Sequence, residues 1–130
     1  MRLELFNTSD RRIRSDLAAL LRRLGRRRPL PDAVVNVVMV GDRRMTELNT
    51  RYRRRRRTTD VLAFPLGHRD PSSRRRLLGE VYVSRDRARA QGREYGTGYH
   101  GEVRRLALHG LLHLLGLGHG EMERLYAALL

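Results

Sequence analysis

His109, His113 and His119 lie in LALHGLLHLLGLGHG (106–120), the most apolar stretch of a heavily charged chain. In an α-helix, residues four apart are separated by about 40° around the axis and about 6 Å along it, so His109 and His113 leave one face together. Gly116 and Gly118 follow the last residue of the helical period, where glycine ends a helix through a left-handed residue. The chain can then fold back and bring His119 to the other two. Three neutral imidazoles at H-x₃-H-x₅-H would hold a zinc ion and leave the fourth tetrahedral position open to water, as catalytic zinc sites do. The bland alternative is three unrelated histidines, but two buried imidazoles one turn apart would each need a partner.

The position after the first histidine carries its own information. A metalloprotease helix reads H-E-x-x-H, with the glutamate as general base; here Gly110 stands in that place, and the base is missing. Glycine inside a helix costs about 1 kcal/mol against alanine, so Gly110 implies a close approach of substrate or backbone to the metal. Glu102 and Glu121 are nearby carboxylates that the sequence does not place.

The second chemically loaded stretch is RYRRRRR (51–57). All 28 basic residues are arginine, and the formal net charge is +14. Arginine pairs phosphate bidentately and stacks on bases, so this balance points to a polyanion such as RNA ahead of an acidic membrane. Most of the run reads as a solvated face. Tyr52 could stack on a base, although aromatic residues make up only 5% of the chain. Thr59 and Asp60 read as loop-capping residues, and His68 and His100 as ordinary ones.

The elements that must position these groups are legible in outline. LELFN (3–7) alternates as a strand, and Ile13 to Leu24 follow a helical period up to Gly25. AVVNVVMV (33–40) is a β-branched, buried central strand. Residues 42–52 form a helix with Met45 and Leu48 inward. DVLAFPL (60–66) is a short strand that Pro65 confines to an edge or an end. Residues 67–76 read as loop, 77–84 as a strand, and 85–96 as a charged, exposed helix. A long apolar helix (99–116) and a final one (120–130) close the chain. The expectation is α+β: one domain over 1–130, a small mixed sheet packed with helices.

Composition narrows the setting. With 40% hydrophobic residues the chain can bury a core, and without cysteine it has neither disulfides nor thiolate ligands, which fits a reducing cytoplasm. The N-terminus lacks the layout of a signal peptide, and no run reaches the roughly 18–20 apolar residues of a membrane span.

Three blocks in order then resemble one known family. HGLLHLLGLGH resembles the zinc motif of the bacterial rRNA maturation factors, the YbeY-type endoribonucleases, whose pattern is roughly H-G-x-L-H-L-x-G-Y-D-H. ELNTRYRRRRRTTDVLAFPL (47–66) is similar to that family's L-N-x-x-Y-R-x-K-D-x-P-T-D-V-L-S-F-P, and LLGEVYVS to its L-G-D-I-x-I-S strand. The resemblance implies a metalloprotease-like (zincin-like) fold and one Zn²⁺ held by His109, His113 and His119. It implies a single-strand-specific endoribonuclease that matures the 3′ end of small-subunit rRNA and serves ribosome quality control. Partners would be rRNA precursor and the small ribosomal subunit, with ribosomal proteins or an assembly GTPase. The family's functional arginine falls at Arg53, whose expected role is to neutralise charge on the phosphate during cleavage. Gly118 stands where the family has Asp, Arg56 where it has Asp, Thr58 where it has Pro, and Ala63 where it has Ser. Two courses stay open for the nucleophile, water activated by the metal or the RNA's own 2′-OH. Two rival functions remain beside the nuclease: an RNA-binding assembly factor with structural zinc, and a metalloprotease.

Overall fold

The computed structural model describes residues 1–69, 71–72 and 74–130. The chain runs β1 (Arg2–Phe6), α1 (Arg11–Arg27), β2 (Ala33–Val40), α2 (Asp42–Arg53), β3 (Val61–Arg69), β4 (Arg76–Ser84), α3 (Arg85–Tyr95), α4 (Gly98–Leu114) and α5 (His119–Leu129). The fold is α+β, with a mixed sheet in the order β1-β2-β4-β3. β1 and β4 pair parallel to β2, and β3 pairs antiparallel to β4.

Period-two alternation divides the sheet into two faces. Val35, Val37 and Met39 of β2, with Val81 and Val83 of β4, face a core shared with α1, α4 and α5. Val40, Leu62 and the edges of Phe64 and Tyr82 face Met45 and Leu48 of α2 on the opposite side. The expected inner face of α2 is therefore confirmed: Met45 is 0% and Leu48 3% exposed.

Caps fix where the helices start. Asp10 Oδ1 accepts from Arg12 N at 2.9 Å to open α1, and Ser84 Oγ accepts from Arg87 N at 3.1 Å to open α3. The end of α4 is a Schellman turn: Leu117 N donates to Leu112 O, Gly116 N donates to His113 O, and Gly116 takes φ 74°.

Several boundaries differ from the expectation. α1 runs through Gly25 to Arg27: Leu24 is fully buried, and its carbonyl accepts from the backbone N–H of the C-cap Arg28. The expected loop 67–76 shortens, since Gly67–Arg69 continue β3 and Arg76 opens β4; Asp70 and Ser73 of that loop lie outside the described residues. Pro65 is on an edge strand as expected, and the pairing with β4 shifts register just after it. α3 is charged but not wholly exposed: Ala88, Gln91 and Gly92 are buried. A side chain at Gly92 would lie 2.5 Å from the carbonyl carbon of Gly98, so α3 and α4 cross with their backbones almost touching. Among the described residues no helix is long and apolar enough to cross a membrane.

Candidate metal centre

His109 and His113 project from α4 toward the edge of the sheet that β3 forms. Their Nε2 atoms are 3.1 Å apart, with the ring planes at 73°. Two imidazole ligands of a tetrahedral zinc, each about 2.0–2.1 Å from the metal, have nitrogens about 3.3 Å apart, so the pair has the spacing of adjacent ligands. His109 Nδ1 meets Tyr126 Oη at 2.6 Å, and the two rings stack at 11°. With Nδ1 engaged, Nε2 is the nitrogen left for an ion. Burial pushes the His109 imidazole below its ordinary pKa, and His113 and Arg105 push the same way against the opposing field of Asp60. The neutral, ligating form is thereby favoured. Burial also raises the Tyr126 hydroxyl, which stays protonated.

His119 does not complete the set in this structure. It is exposed at the first position of α5, and among the described residues no three His, Cys, Asp or Glu side chains stand close enough to hold one ion. The backbone shows why the expected fold-back is partial. Only Gly116 is left-handed; Gly118 is extended, with φ −77° and ψ 165°, and serves as N-cap of α5. Residues seven apart on a helix differ by only about 20° around the axis, so His119 shares the α5 face of Tyr126, the residue that touches His109. A glycine cap offers no side-chain acceptor to the first turn of α5.

The histidine pair forms one wall of a cleft of about 380 Å³. Arg53 enters it from the end of α2, Thr59 and Asp60 from the following loop, and Val61 and Ala63 from β3. The cleft thus brings Arg53, singled out through the family resemblance, beside the histidines. Its position depends on how α2 ends: Arg54 adopts a left-handed conformation with φ 57°, and Asn49 Nδ2 donates to Arg57 O at 2.8 Å, tying the arginine-rich loop back onto the helix. A separate apolar recess of about 300 Å³ between β1 and α1 is lined by neither histidine nor carboxylate.

Sequence reasoning gave Asp60 a structural part only, and the structure gives it two. Its backbone carbonyl accepts from Ser84 N at 2.9 Å, which buttresses the loop as expected, while its carboxylate lies in the cleft. Behind it a polar relay runs inward. Gln91 Nε2 donates to Asp60 Oδ2 at 3.4 Å, Arg105 donates to Gln91 and to Glu102, and Thr97 Oγ1 donates to Glu102 Oε2 at 2.9 Å. Glu102 is wholly buried in that relay, and Glu121 pairs with Arg28 at 2.6 Å, so both carboxylates are engaged away from the histidines. Tyr126 had no sequence signal, because its contact with His109 joins two helices across a glycine turn.

Gly110 also needs a different account. A Cβ there would lie 2.5 Å from Val81 Cγ1. What approaches the helix at this point is the sheet, and the missing side chain seats α4 on β4 at the level of the histidines. Gly110 also lines the cleft, but the close approach at this position is a valine side chain, not the substrate or backbone expected.

Comparison with known proteins bears on the fold and on most of the sequence. The family model described as endoribonuclease YbeY matches residues 4–127. An endoribonuclease YbeY from Anaeromyxobacter sp. (strain Fw109-5) is 42% identical over 112 residues, covering 86% of this chain and 55% of that protein. One from Aquifex aeolicus is 39% identical over 103 residues, covering 77% of this chain and 67% of that protein. The solution structure of a Thermotoga maritima protein matches with a TM-score of 0.63 at 30% identity, covering 92% of this chain and 75% of the other. This chain belongs to the endoribonuclease YbeY family. It spans little more than half the length of the Anaeromyxobacter relative.

Proposed function

We propose that this protein is a zinc-dependent endoribonuclease that cuts single-stranded rRNA precursor during small-subunit maturation. The observation that carries the reading is the shared cleft: two converging imidazoles, a carboxylate and Arg53 face one space. The relatives are endoribonucleases, which supports RNA as the substrate. His109 and His113 would hold the ion, with His119 as third ligand brought in from α5.

When bound, zinc supplies Lewis acidity toward a phosphoryl oxygen. Tyr126 holds the His109 ring so that Nε2 faces the cleft. Arg53 stabilises the negative charge that develops on the phosphate. Asp60 supplies a carboxylate to the cleft, an acceptor for the proton that the attacking hydroxyl loses. With no glutamate after His109, peptide hydrolysis has no general base in the usual place, and the metalloprotease reading is set aside. The proposal extends to cytoplasmic action at the small ribosomal subunit, with assembly proteins as partners, and to ribosome quality control.

The test is metal content by mass spectrometry on protein purified without chelator, beside cleavage of a single-stranded rRNA fragment. About one zinc per chain is expected, lost in each of His109→Ala, His113→Ala and His119→Ala. Arg53→Ala should cut at least about a hundredfold more slowly with metal retained, the usual loss for one charge-stabilising donor. A 2′,3′-cyclic phosphate beside a 5′-hydroxyl would identify the 2′-OH as nucleophile, and a 5′-phosphate beside a 3′-hydroxyl would identify water. A chain that binds rRNA equally with and without metal and never cuts it would be the non-catalytic assembly factor instead.

A further inference from the structure

The chain has five tyrosines and two phenylalanines, and three of these rings are gathered on one patch. Tyr52 and Phe64 have centroids 4.9 Å apart, and Phe64 and Tyr82 5.7 Å apart. Together with Leu66 and Glu80 they line a groove of about 220 Å³ on the α2 side of the sheet edge. The core accounts for the inner edges of Phe64 and Tyr82, which cover Met45 and Leu62. It does not account for Tyr52, which is 55% exposed, nor for Leu66, which is 38% exposed.

Charge selects the occupant. Arg51 stands 5.5 Å from the Tyr52 ring centre, and the arginine run continues from Arg53. Inside the groove, however, the one formal charge among the described lining residues is the Glu80 carboxylate, which accepts from Tyr82 Oη at 3.2 Å. The rim arginines attract phosphates, whereas the Glu80 carboxylate opposes an anion placed beside it. The group that suits the interior is flat, uncharged and edged with N–H donors. A nucleobase has those properties: a π-face for Tyr52 and Phe64, and ring or amino N–H groups for Glu80.

The groove and the candidate metal centre lie on opposite faces of the sheet edge that β3 forms. Tyr52 and Arg53 are consecutive, yet one lines the groove and the other the cleft. β3 repeats the arrangement, with Ala63 lining the cleft and Phe64 the groove, because successive strand residues face opposite sides. An RNA strand crossing this edge, with its backbone at Arg53, would bring a neighbouring base to Tyr52. We propose that the Tyr52–Phe64–Tyr82 groove is a base-stacking subsite for single-stranded RNA, which sets the register of the strand in the cleft. This rests on RNA being the substrate. It also supplies a reason for single-strand specificity, since a duplex base must first be pulled from its stack.

The chain contains no tryptophan, so Tyr52→Trp creates a single reporter at the groove. Its fluorescence would be titrated with a short single-stranded oligoribonucleotide and, separately, with inorganic polyphosphate. Saturable quenching by the oligonucleotide and none by polyphosphate is expected. Tyr52→Ala should bind the oligonucleotide roughly tenfold more weakly, and Tyr52→Phe should restore most of that loss. Equal quenching by polyphosphate would overturn the proposal, as would emission that follows protein concentration alone, the mark of a contact between copies. If the unaltered protein binds and cuts RNA while Tyr52→Ala matches it in affinity, the subsite fails and the nuclease reading stands. If the unaltered protein binds no RNA, both fall.

Discussion

Gly110 and Val81 set the height of the histidines above the sheet. Replacing Gly110 by alanine would gain about 1 kcal/mol of helix propensity, but the new methyl would enter the space of a valine that is 0% exposed. Overpacking of a closed core costs about 1–3 kcal/mol, so Gly110→Ala should be net destabilised by up to about 2 kcal/mol in urea denaturation. Val81→Ala in the same chain should recover part of the loss, because the two sites share one volume. Additive losses would mean that α4 is not seated by this contact. The same residue shows what can be read from sequence at this scale. The pairing of His109 with His113 follows from helical geometry alone and was legible. That Gly110 meets Val81, and His109 meets Tyr126, depends on how separate elements dock, and no local pattern records it.

The elements themselves were more legible than their ends. β2 reads as a buried strand because six of its eight residues are valine or methionine in a row around Asn36, and it occupies the interior of the sheet. β3 was given too short a span because Gly67, His68 and Arg69 carry no apolar alternation; they are strand through pairing with β4. α3 hid its buried side because small residues, Ala88 and Gly92, make the contact. α2 bears on both proposed sites, since its last turn places Arg53 at the cleft and Tyr52 at the groove. It stops at Arg54, which takes a left-handed conformation with φ 57° and ψ 34°. A side-chain-bearing residue there costs about 1 kcal/mol, part of which glycine would give back in the unfolded state. Arg54→Gly should therefore raise the urea midpoint by roughly 0.5 kcal/mol of stability, helped by removal of one like charge from the run. A lowered midpoint would show that the Arg54 side chain holds the loop instead.

Over the whole molecule, charge rather than shape would govern the encounter with the proposed RNA substrate. A net +14 on 130 residues draws a polyanion to any face, so affinity alone does not locate the site. Salt dependence does. Each phosphate neutralised on a single strand contributes about −0.7 to the slope of log affinity against log salt, so about five arginine contacts would lower affinity roughly a hundredfold between 50 and 200 mM. Arg53→Ala should flatten that slope by about 0.7, because it removes a phosphate contact and its released counterion. Tyr52→Ala should weaken binding at every salt concentration and leave the slope unchanged, because a stacked base releases no counterion. The check is a series of oligoribonucleotide titrations by fluorescence anisotropy across that salt range, on the unaltered protein and the two variants. Parallel lines for Tyr52→Ala beside a shallower one for Arg53→Ala would separate the base groove from the phosphate cleft. A shallower line for Tyr52→Ala would mean that Tyr52 acts only by holding Arg51 and Arg53 in place.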